Sequence, residues 1–291
     1  MKLATFEDDK GKRLGIVKGD MLIDLSAFDP TFPTDMITYL SHGDTTGRKA
    51  KQANREVEAT IPLSSVTLHA PVEDPRKIFC VGLNYADHVA ETGRDKPENA
   101  TWFTKPPTAI VGHDANVLKP AVSDMIDYEA ELVVIIGHRC RHIAPEDALN
   151  AVAGYCCGND VSVRDWQFRS PQFTIGKSFD THGPIGPWLT TRDEIADPHA
   201  LTIECRVNGA VRQKSNTEHL IFKIEHLIAE LSAVMTLEPG DVIFTGTPSG
   251  VGVAMKPPQF LKAGDKVEVE IAGLGTLSNQ MVTEDVTPYV K

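Results

Sequence analysis

Hydrophobic and polar positions alternate in short runs over the first 26 residues. Lys2 to Phe6, Arg13 to Val17 and Met21 to Leu25 predict three strands, separated by turns at Asp8-Asp9-Lys10-Gly11 and Lys18-Gly19-Asp20. Residues 35 to 58 read as helical, polar and surface-lying, and a linker rich in Pro and Ser follows, broken by Pro62 and Pro71. This places a boundary near residue 71, with a small N-terminal α/β domain over 1–70 and a larger domain over 71–291. In the larger part, Glu131 to Ile136 predicts a buried strand. Pro145 to Tyr155 predicts a helix with Pro at its start and Glu146 and Asp147 in its first turn. Apolar residues at helical spacing (Leu220, Ile224, Leu227, Ile228, Leu231) predict another helix within Thr217 to Thr236. Leu237-Glu-Pro-Gly-Asp-Val-Ile-Phe and Leu261-Lys-Ala-Gly-Asp-Lys-Val-Glu-Val echo each other as Gly-Asp turns feeding strands. Lys266 to Ile271 and Thr276 to Val282 then predict a hairpin. Strands this dense, with few crossover helices, predict an α+β, mainly β fold and argue against a Rossmann architecture.

Charge narrows the partners. The 291 residues carry a formal charge of −11, and no basic stripe is available for nucleic acid phosphates. No apolar run is long enough for a membrane span, and the N-terminus has no secretory h-region, so a cytoplasmic location is expected. The five cysteines are odd in number and show no CxxC spacing, which reads as reduced thiols; the adjacent Cys156 and Cys157 read as core filler.

The chemistry concentrates in Asp127-Tyr-Glu-Ala-Glu-Leu-Val-Val-Ile-Ile-Gly137. On a strand, Glu129 and Glu131 point to one face at about 7 Å spacing, next to a run that is apolar on both faces. Two carboxylates in such a setting repel, and something positive must sit between them. One hard divalent cation satisfies this, with Mg²⁺, Mn²⁺ and Ca²⁺ all suited to carboxylate oxygens. Gly154-Tyr-Cys-Cys-Gly-Asn-Asp160 ends an apolar run on an acid and supplies a third candidate ligand. The alternative is a salt-bridge cluster with Arg139, Arg141 or Lys177. His138 and His142, beside two arginines, read as surface residues; His219 and His226, seven apart on one helix with no carboxylate ligand nearby, read as structural.

Ile78 to Tyr85 predicts a strand and turn. If residues 86 to 91 make a helical turn, His88 and Glu91 are i, i+3 neighbours, and a carboxylate beside an imidazole suits a water-activating base. The polar segment Thr92 to Thr101 that follows suits a mobile lid. The plainer reading is a helix-surface pair. Beyond Asp160, Arg164 and Gln167 are also i, i+3; Arg164 suits bidentate capture of a substrate carboxylate, and Lys177 suits stabilising an enolate or oxyanion. Ordinary ion pairs with Asp165 or Asp180 are the alternative for both. Thr245-Gly-Thr-Pro-Ser-Gly-Val-Gly252 lacks a P-loop lysine, but its backbone N–H groups and the Thr247 hydroxyl could meet a small anion.

In this order, Gly82-Leu-Asn-Tyr-Ala-Asp-His-Val-Ala-Glu, Asp-Tyr-Glu-Ala-Glu-Leu, Gly-Asn-Asp-Val-Ser-Val-Arg-Asp-Trp-Gln, Gly-Lys-Ser-Phe-Asp-Thr, the Leu237 to Gly252 segment and Gly-Leu-Gly-Thr-Leu-Ser-Asn resemble the fumarylacetoacetate hydrolase family over residues 76 to 285. The closer resemblance is to its shorter acylpyruvase and 2-hydroxyhepta-2,4-diene-1,7-dioate isomerase-like branch. It implies a mixed β-roll catalytic domain, usually in a homodimer. It implies one Mg²⁺ or Mn²⁺ per chain on Glu129, Glu131 and Asp160, and a His88–Glu91 dyad on a lid. Arg164, Gln167, Lys177 and Thr247 match positions that hold substrate oxygens. The expected activity is hydrolysis of a C–C bond in acylpyruvate-type β-diketo acids, as in aromatic-compound catabolism. The enzymatic alternative is decarboxylation or isomerisation of 2-oxo or 2-hydroxy-dienoic diacids. The non-enzyme alternative is an inactive small-molecule binding scaffold.

Overall fold

The computed structural model describes residues 1–93 and 95–288. Arg94, inside the expected lid, lies outside the described residues. The fold is mainly β, and one sheet of twelve strands organises it. Its spine runs Ile61–Pro62, Met21–Asp24, Gly11–Lys18, Lys2–Asp8, Gly183–Thr191, Val152–Asn159, Ala130–Ile136, Val242–Phe244, Ile78–Gly82 and Thr101–Thr104. Along this spine only Val242–Phe244 and Ile78–Gly82 pair in parallel, unlike a doubly wound fold. The three N-terminal strands form the predicted meander, and Lys2–Asp8 joins the sheet at Lys2↔Thr190 and Leu3↔Leu189. The linker also forms sheet: Ile61–Pro62 pairs with Met21 and Leu22, and Thr67–Leu68 with Phe6 and Glu7.

The strand Ala130–Ile136 is buried along its whole length. Its side chains alternate between two cores, as strand geometry requires. Leu132, Val134 and Ile136 meet a second, five-stranded sheet through Ile203, Val269 and Leu277, and the helix Ile224–Val234 through Ile228 and Leu231. Val133 and Ile135 meet the N-terminal strands and the helices Met36–Ser41 and Asp44–Glu56 through Leu3, Ile16, Met36 and Ala50. Cys156 and Cys157, on the next strand, divide between the same two cores.

The Pro145 to Tyr155 helix is shorter than predicted. It ends at Ala148, a 3₁₀ turn takes Leu149–Ala151, and Val152–Asn159 is a strand. Cross-strand pairing wins here, because that segment fills the slot between Ala130–Ile136 and Gly183–Thr191. Gly154 fits this slot closely: a Cβ there would lie 2.1 Å from the Thr190 carbonyl oxygen. The Thr217 to Thr236 pattern resolves into a 3₁₀ turn and the helix Ile224–Val234. The two echoing Gly-Asp segments do fold alike: Asp241 Oδ2 accepts from the Glu238 N–H and Asp265 Oδ2 from the Lys262 N–H, each at 2.7 Å.

Because Leu132 is fully buried between packed layers, Leu132→Ala should lower the unfolding free energy by about 2–5 kcal/mol, read by urea denaturation.

Candidate metal centre and active site

The three acids meet at one corner of the central sheet. Ala130 pairs with Asn159 and Glu131 with Gly158, so the register sets Asp160 opposite Glu129; the Asp160 N–H donates to the Glu129 carbonyl at 2.9 Å. The Asn159 side chain accepts from the Glu129 N–H at 3.0 Å and fixes the same corner. Carboxylate oxygens of Glu129, Glu131 and Asp160 lie within 4.8 Å of one another, and all three residues are buried.

Three cations surround this cluster. Lys177 Nζ donates to Glu129 Oε2 at 2.6 Å and to Asp160 Oδ2 at 2.7 Å. Arg164 Nη1 lies 2.6 Å from Glu129 Oε1. Lys105 Nζ lies 2.6 Å from Asp160 Oδ1 and donates to the carbonyls of Lys177 and His182. Part of the ion-pair alternative is thus present, carried by Lys177, with Arg164 and Lys105 in place of the two arginines expected beside it. Arg139 is exposed, and Arg141 donates to the Ser232 carbonyl instead. Burial pushes the Glu129 carboxyl up, but Lys177 and then Arg164 outweigh it and bring its pKa down to about 2. Glu131 moves the other way, well above the usual carboxylate range, through burial and then the charges of Asp160 and Glu129.

These residues fit a divalent cation. Counting Asp127, four buried carboxylates face three buried cations, which leaves one negative charge without a partner. That deficit falls on Glu131, whose charged form has, among the described residues, only the Gly246 N–H, at 2.7 Å, as a hydrogen-bond donor. Asp160 Oδ1 has the Lys105 ammonium nearby but no well-aligned hydrogen-bond donor among the described residues. A hard cation among three carboxylate oxygens satisfies both groups.

A cavity of about 530 Å³ opens over the cluster, lined by His88, Glu91, Glu129, Arg164, Gln167, Lys177 and Thr247. Seven of the nine sequence-predicted site residues therefore share one cavity; Glu131 and Asp160 adjoin it through Glu129 and Lys177. His88 and Glu91 sit on the helix Ala86–Thr92, which Gly93 ends in a left-handed conformation. His88 Nδ1 is 3.3 Å from Glu91 Oε2, which leaves Nε2 for the cavity, and Glu91 Oε1 accepts from the Gly250 N–H at 2.9 Å.

Two expectations change. Arg164 does not present its fork to the cavity: Nε and Nη2 hold Asp127 Oδ2 at 2.9 and 2.8 Å, and Nη1 holds Glu129 and the Gln167 Oε1. Buried between fixed acids, it cannot give a substrate carboxylate a bidentate grip; the Gln167 amide N–H₂, without a partner among the described residues, is the free donor beside it. The Thr247 hydroxyl is likewise committed, donating to the Ala130 carbonyl and accepting from Gln213 Nε2. The glycine-rich loop does bind anions, but they are the protein's own. Its N–H groups serve Glu131 (from Gly246), Glu91 (from Gly250) and Asp127 (from Gly252 and Val253). Gly252 is required there, since a Cβ would lie 1.9 Å from the Gln259 carbonyl oxygen.

Asp127 and Lys105 were missed as site residues. Asp127 had a signal, because i, i+2 spacing carried back from Glu129 reaches it. Lys105 had the signal that marked Asp160: the short strand Thr101–Thr104 stops at a charge.

Asp127→Asn removes the charge facing Arg164 and should cost about 3–5 kcal/mol of stability, measured by denaturant unfolding. Mn²⁺ at a hundredfold excess over its Kd should stabilise the protein by about 2.7 kcal/mol, and Glu131→Gln should abolish most of that gain in a thermal melt while leaving the ion pairs of Lys105 and Lys177 intact.

Comparisons with known proteins give the family. The family described as "Fumarylacetoacetate (FAA) hydrolase C-terminal" matches residues 77–282. The mitochondrial oxaloacetate tautomerase FAHD2A of Bos taurus is 46% identical over 288 residues, covering 97% of this chain and 92% of that one. Among solved structures, maleylpyruvate hydrolase from Sphingobium sp. SYK-6, in complex with manganese(II) ion and pyruvate, is 36% identical with a TM-score of 0.81. 5-Carboxymethyl-2-hydroxymuconate delta-isomerase from Mycobacterium smegmatis is 34% identical with a TM-score of 0.78. Each covers 98% of this chain and 100% of its own. By sequence and by fold, this chain belongs to the fumarylacetoacetate hydrolase family.

Proposed function

We propose that the chain is a divalent-cation-dependent enzyme that moves a proton between C3 and the 2-oxo oxygen of an oxaloacetate-like 2-oxo diacid. The observation that carries this is the placement of three clustered carboxylates beneath a cavity whose wall holds His88 and Glu91. The name of the bovine relative and that of the mycobacterial isomerase support proton transfer over the hydrolysis preferred from sequence.

Glu129, Glu131 and Asp160 would hold the ion, which when bound polarises a 2-oxo carbonyl and stabilises negative charge on its oxygen. Mg²⁺ and Mn²⁺ both suit the oxygen donors, and the manganese in the maleylpyruvate hydrolase structure supports Mn²⁺. His88 takes the C3 proton on Nε2, while Glu91, tied to the Gly250 N–H, fixes its ring and supports its charge. The Lys177 ammonium, whose pKa the acids Asp160 and Glu129 raise against the effect of burial, donates a hydrogen bond to the developing enolate oxygen, which takes up a proton from solvent as His88 releases the C3 proton to solvent. The Gln167 amide binds the adjacent carboxylate, and Arg164 positions Gln167 and Glu129. Phe103 and Phe173 keep water from the reacting carbon.

Hydrolysis of an acylpyruvate is the second reading. The His88–Glu91 pair, able to deprotonate a water, and the maleylpyruvate hydrolase likeness favour it. The five free cysteines support a reducing compartment such as the cytoplasm, while the bovine relative's name places that protein in mitochondria.

With Mn²⁺ present, the protein should accelerate loss of the enol absorbance of oxaloacetate, and His88→Ala should slow this by about 10²–10⁴-fold without weakening Mn²⁺ binding. No acceleration, combined with pyruvate release from maleylpyruvate, would move the assignment to hydrolysis. Neither activity would leave a binding scaffold.

A further inference from the structure

A second cavity, of about 390 Å³, lies at the seam between the N-terminal layer and the central sheet and shares no lining residue with the active-site cavity. Its floor is apolar: Leu3, Leu40, Val152 and Leu189 are all buried and come from both sides of the seam. One side of its rim is the start of the helix Asp44–Glu56, through Gly43, Gly47 and Arg48. Apolar cavities of about 300–1,000 Å³ with a few convergent polar groups are the usual form of a small-molecule site.

Three separate features give this cavity the character of a binding site. Tyr39, on the helix Met36–Ser41, is only 6% exposed and lines the cavity, but its hydroxyl has no hydrogen-bond partner among the described residues. A buried phenol ordinarily finds one. Burial, with the charge of Asp193 adding to it, pushes its pKa up to about 12, so the hydroxyl stays a donor. The start of the helix Asp44–Glu56 is also unsatisfied. Gly43 offers no capping side chain, and the N–H groups of Asp44 and Thr46 have no partner among the described residues. Gly47 is the third feature. A glycine inside a helix lowers its stability, and neither backbone nor packing requires one here. Its φ is not positive, and a Cβ would meet nothing within 4 Å. What its missing side chain leaves is room at the rim.

Charge selects the ligand. Arg48, Lys51 and Arg192 line the cavity against Asp44 and Asp193, which leaves one positive charge over. Lys51 is held by Asp193 at 2.9 Å, and Arg192 donates to the Leu149 carbonyl at 2.6 Å. The unclaimed cation is therefore the exposed Arg48, one turn into the helix. A guanidinium beside first-turn N–H groups suits a carboxylate, and an excess of one charge suits one carboxylate.

We propose that this cavity is a second ligand site, separate from the metal centre, for a monocarboxylic acid with an apolar body. The carboxylate lies between Arg48, the helix start and the Tyr39 hydroxyl, and the body rests on Leu40 and Leu189. The site is independent of the reaction carried out at the metal centre.

Titration calorimetry on the Mn²⁺-loaded protein at low salt tests this with 4-phenylbutyrate and its neutral amide, 4-phenylbutyramide, which share a body and differ in charge. The acid should bind more tightly than the amide. Arg48→Gln should weaken the acid about three- to fivefold, the range of an exposed ion pair, and leave the amide unaffected. Tyr39→Phe should weaken it about two- to tenfold, the worth of one hydrogen bond. Gly47→Leu, which fills the rim, should lower its affinity more than tenfold while the unfolding midpoint stays at or above the native value. Should Gly47→Leu fail to fold, Arg48→Gln and Tyr39→Phe carry the test alone. No binding of 4-phenylbutyrate to the native protein, equal binding of acid and amide, or affinity for the acid that is unchanged in Arg48→Gln and Tyr39→Phe would overturn the proposal.

Discussion

Charge balance in a dry corner governs the site. Asp127, Glu129, Glu131 and Asp160 are buried together, and the fold supplies Lys105, Lys177 and Arg164 against them. Each charge taken out of water must find a partner or change its protonation state. Six of the seven do so within the chain, and the seventh, Glu131, is driven toward its neutral acid. The acids do not simply form a salt-bridge cluster, because the cations are too few and are placed on Glu129, Asp160 and Asp127, leaving Glu131 aside. A site built with one positive charge too few is preorganised for an ion that brings more than one.

Rigid elements make that imbalance tolerable. The strand that starts just beyond Glu129 runs between two hydrophobic cores, so neither acid can swing toward solvent without disturbing packing on both faces. The same arrangement joins the first 70 residues to the chemistry. Val133 and Ile135 pack on the N-terminal layer one strand pitch from Glu131, so this layer helps to hold the acids in register.

Much of this was legible along the chain. Alternation placed Glu129 and Glu131 on one face, and the run ending at Asp160 marked a second strand end; antiparallel pairing then brought them together. The helical turn carrying His88 and Glu91 followed from local spacing, as did the three N-terminal strands. Relations between distant segments were hidden. Nothing local shows that the Arg164 fork closes on Asp127, 37 residues away, or that Thr247 satisfies the Ala130 carbonyl. Both residues had looked free to meet a substrate because their partners lie on other elements. The failed Pro145 to Tyr155 helix has the same origin: its N-terminal signals are genuine and stop the chain from being strand for one turn, but the open slot in the sheet claims the rest.

The run of amides from Gly250 to Val253 has a mechanical consequence. Its first N–H grips Glu91, the orienting partner of His88, and its last two grip Asp127, the counter-charge of Arg164. The proposed proton-handling pair and the charge-holding group, which come from segments 36 positions apart, are thereby gauged against a common ruler a few peptides long. Any drift of that ruler displaces both groups in concert, so their mutual spacing outlasts changes in their absolute position.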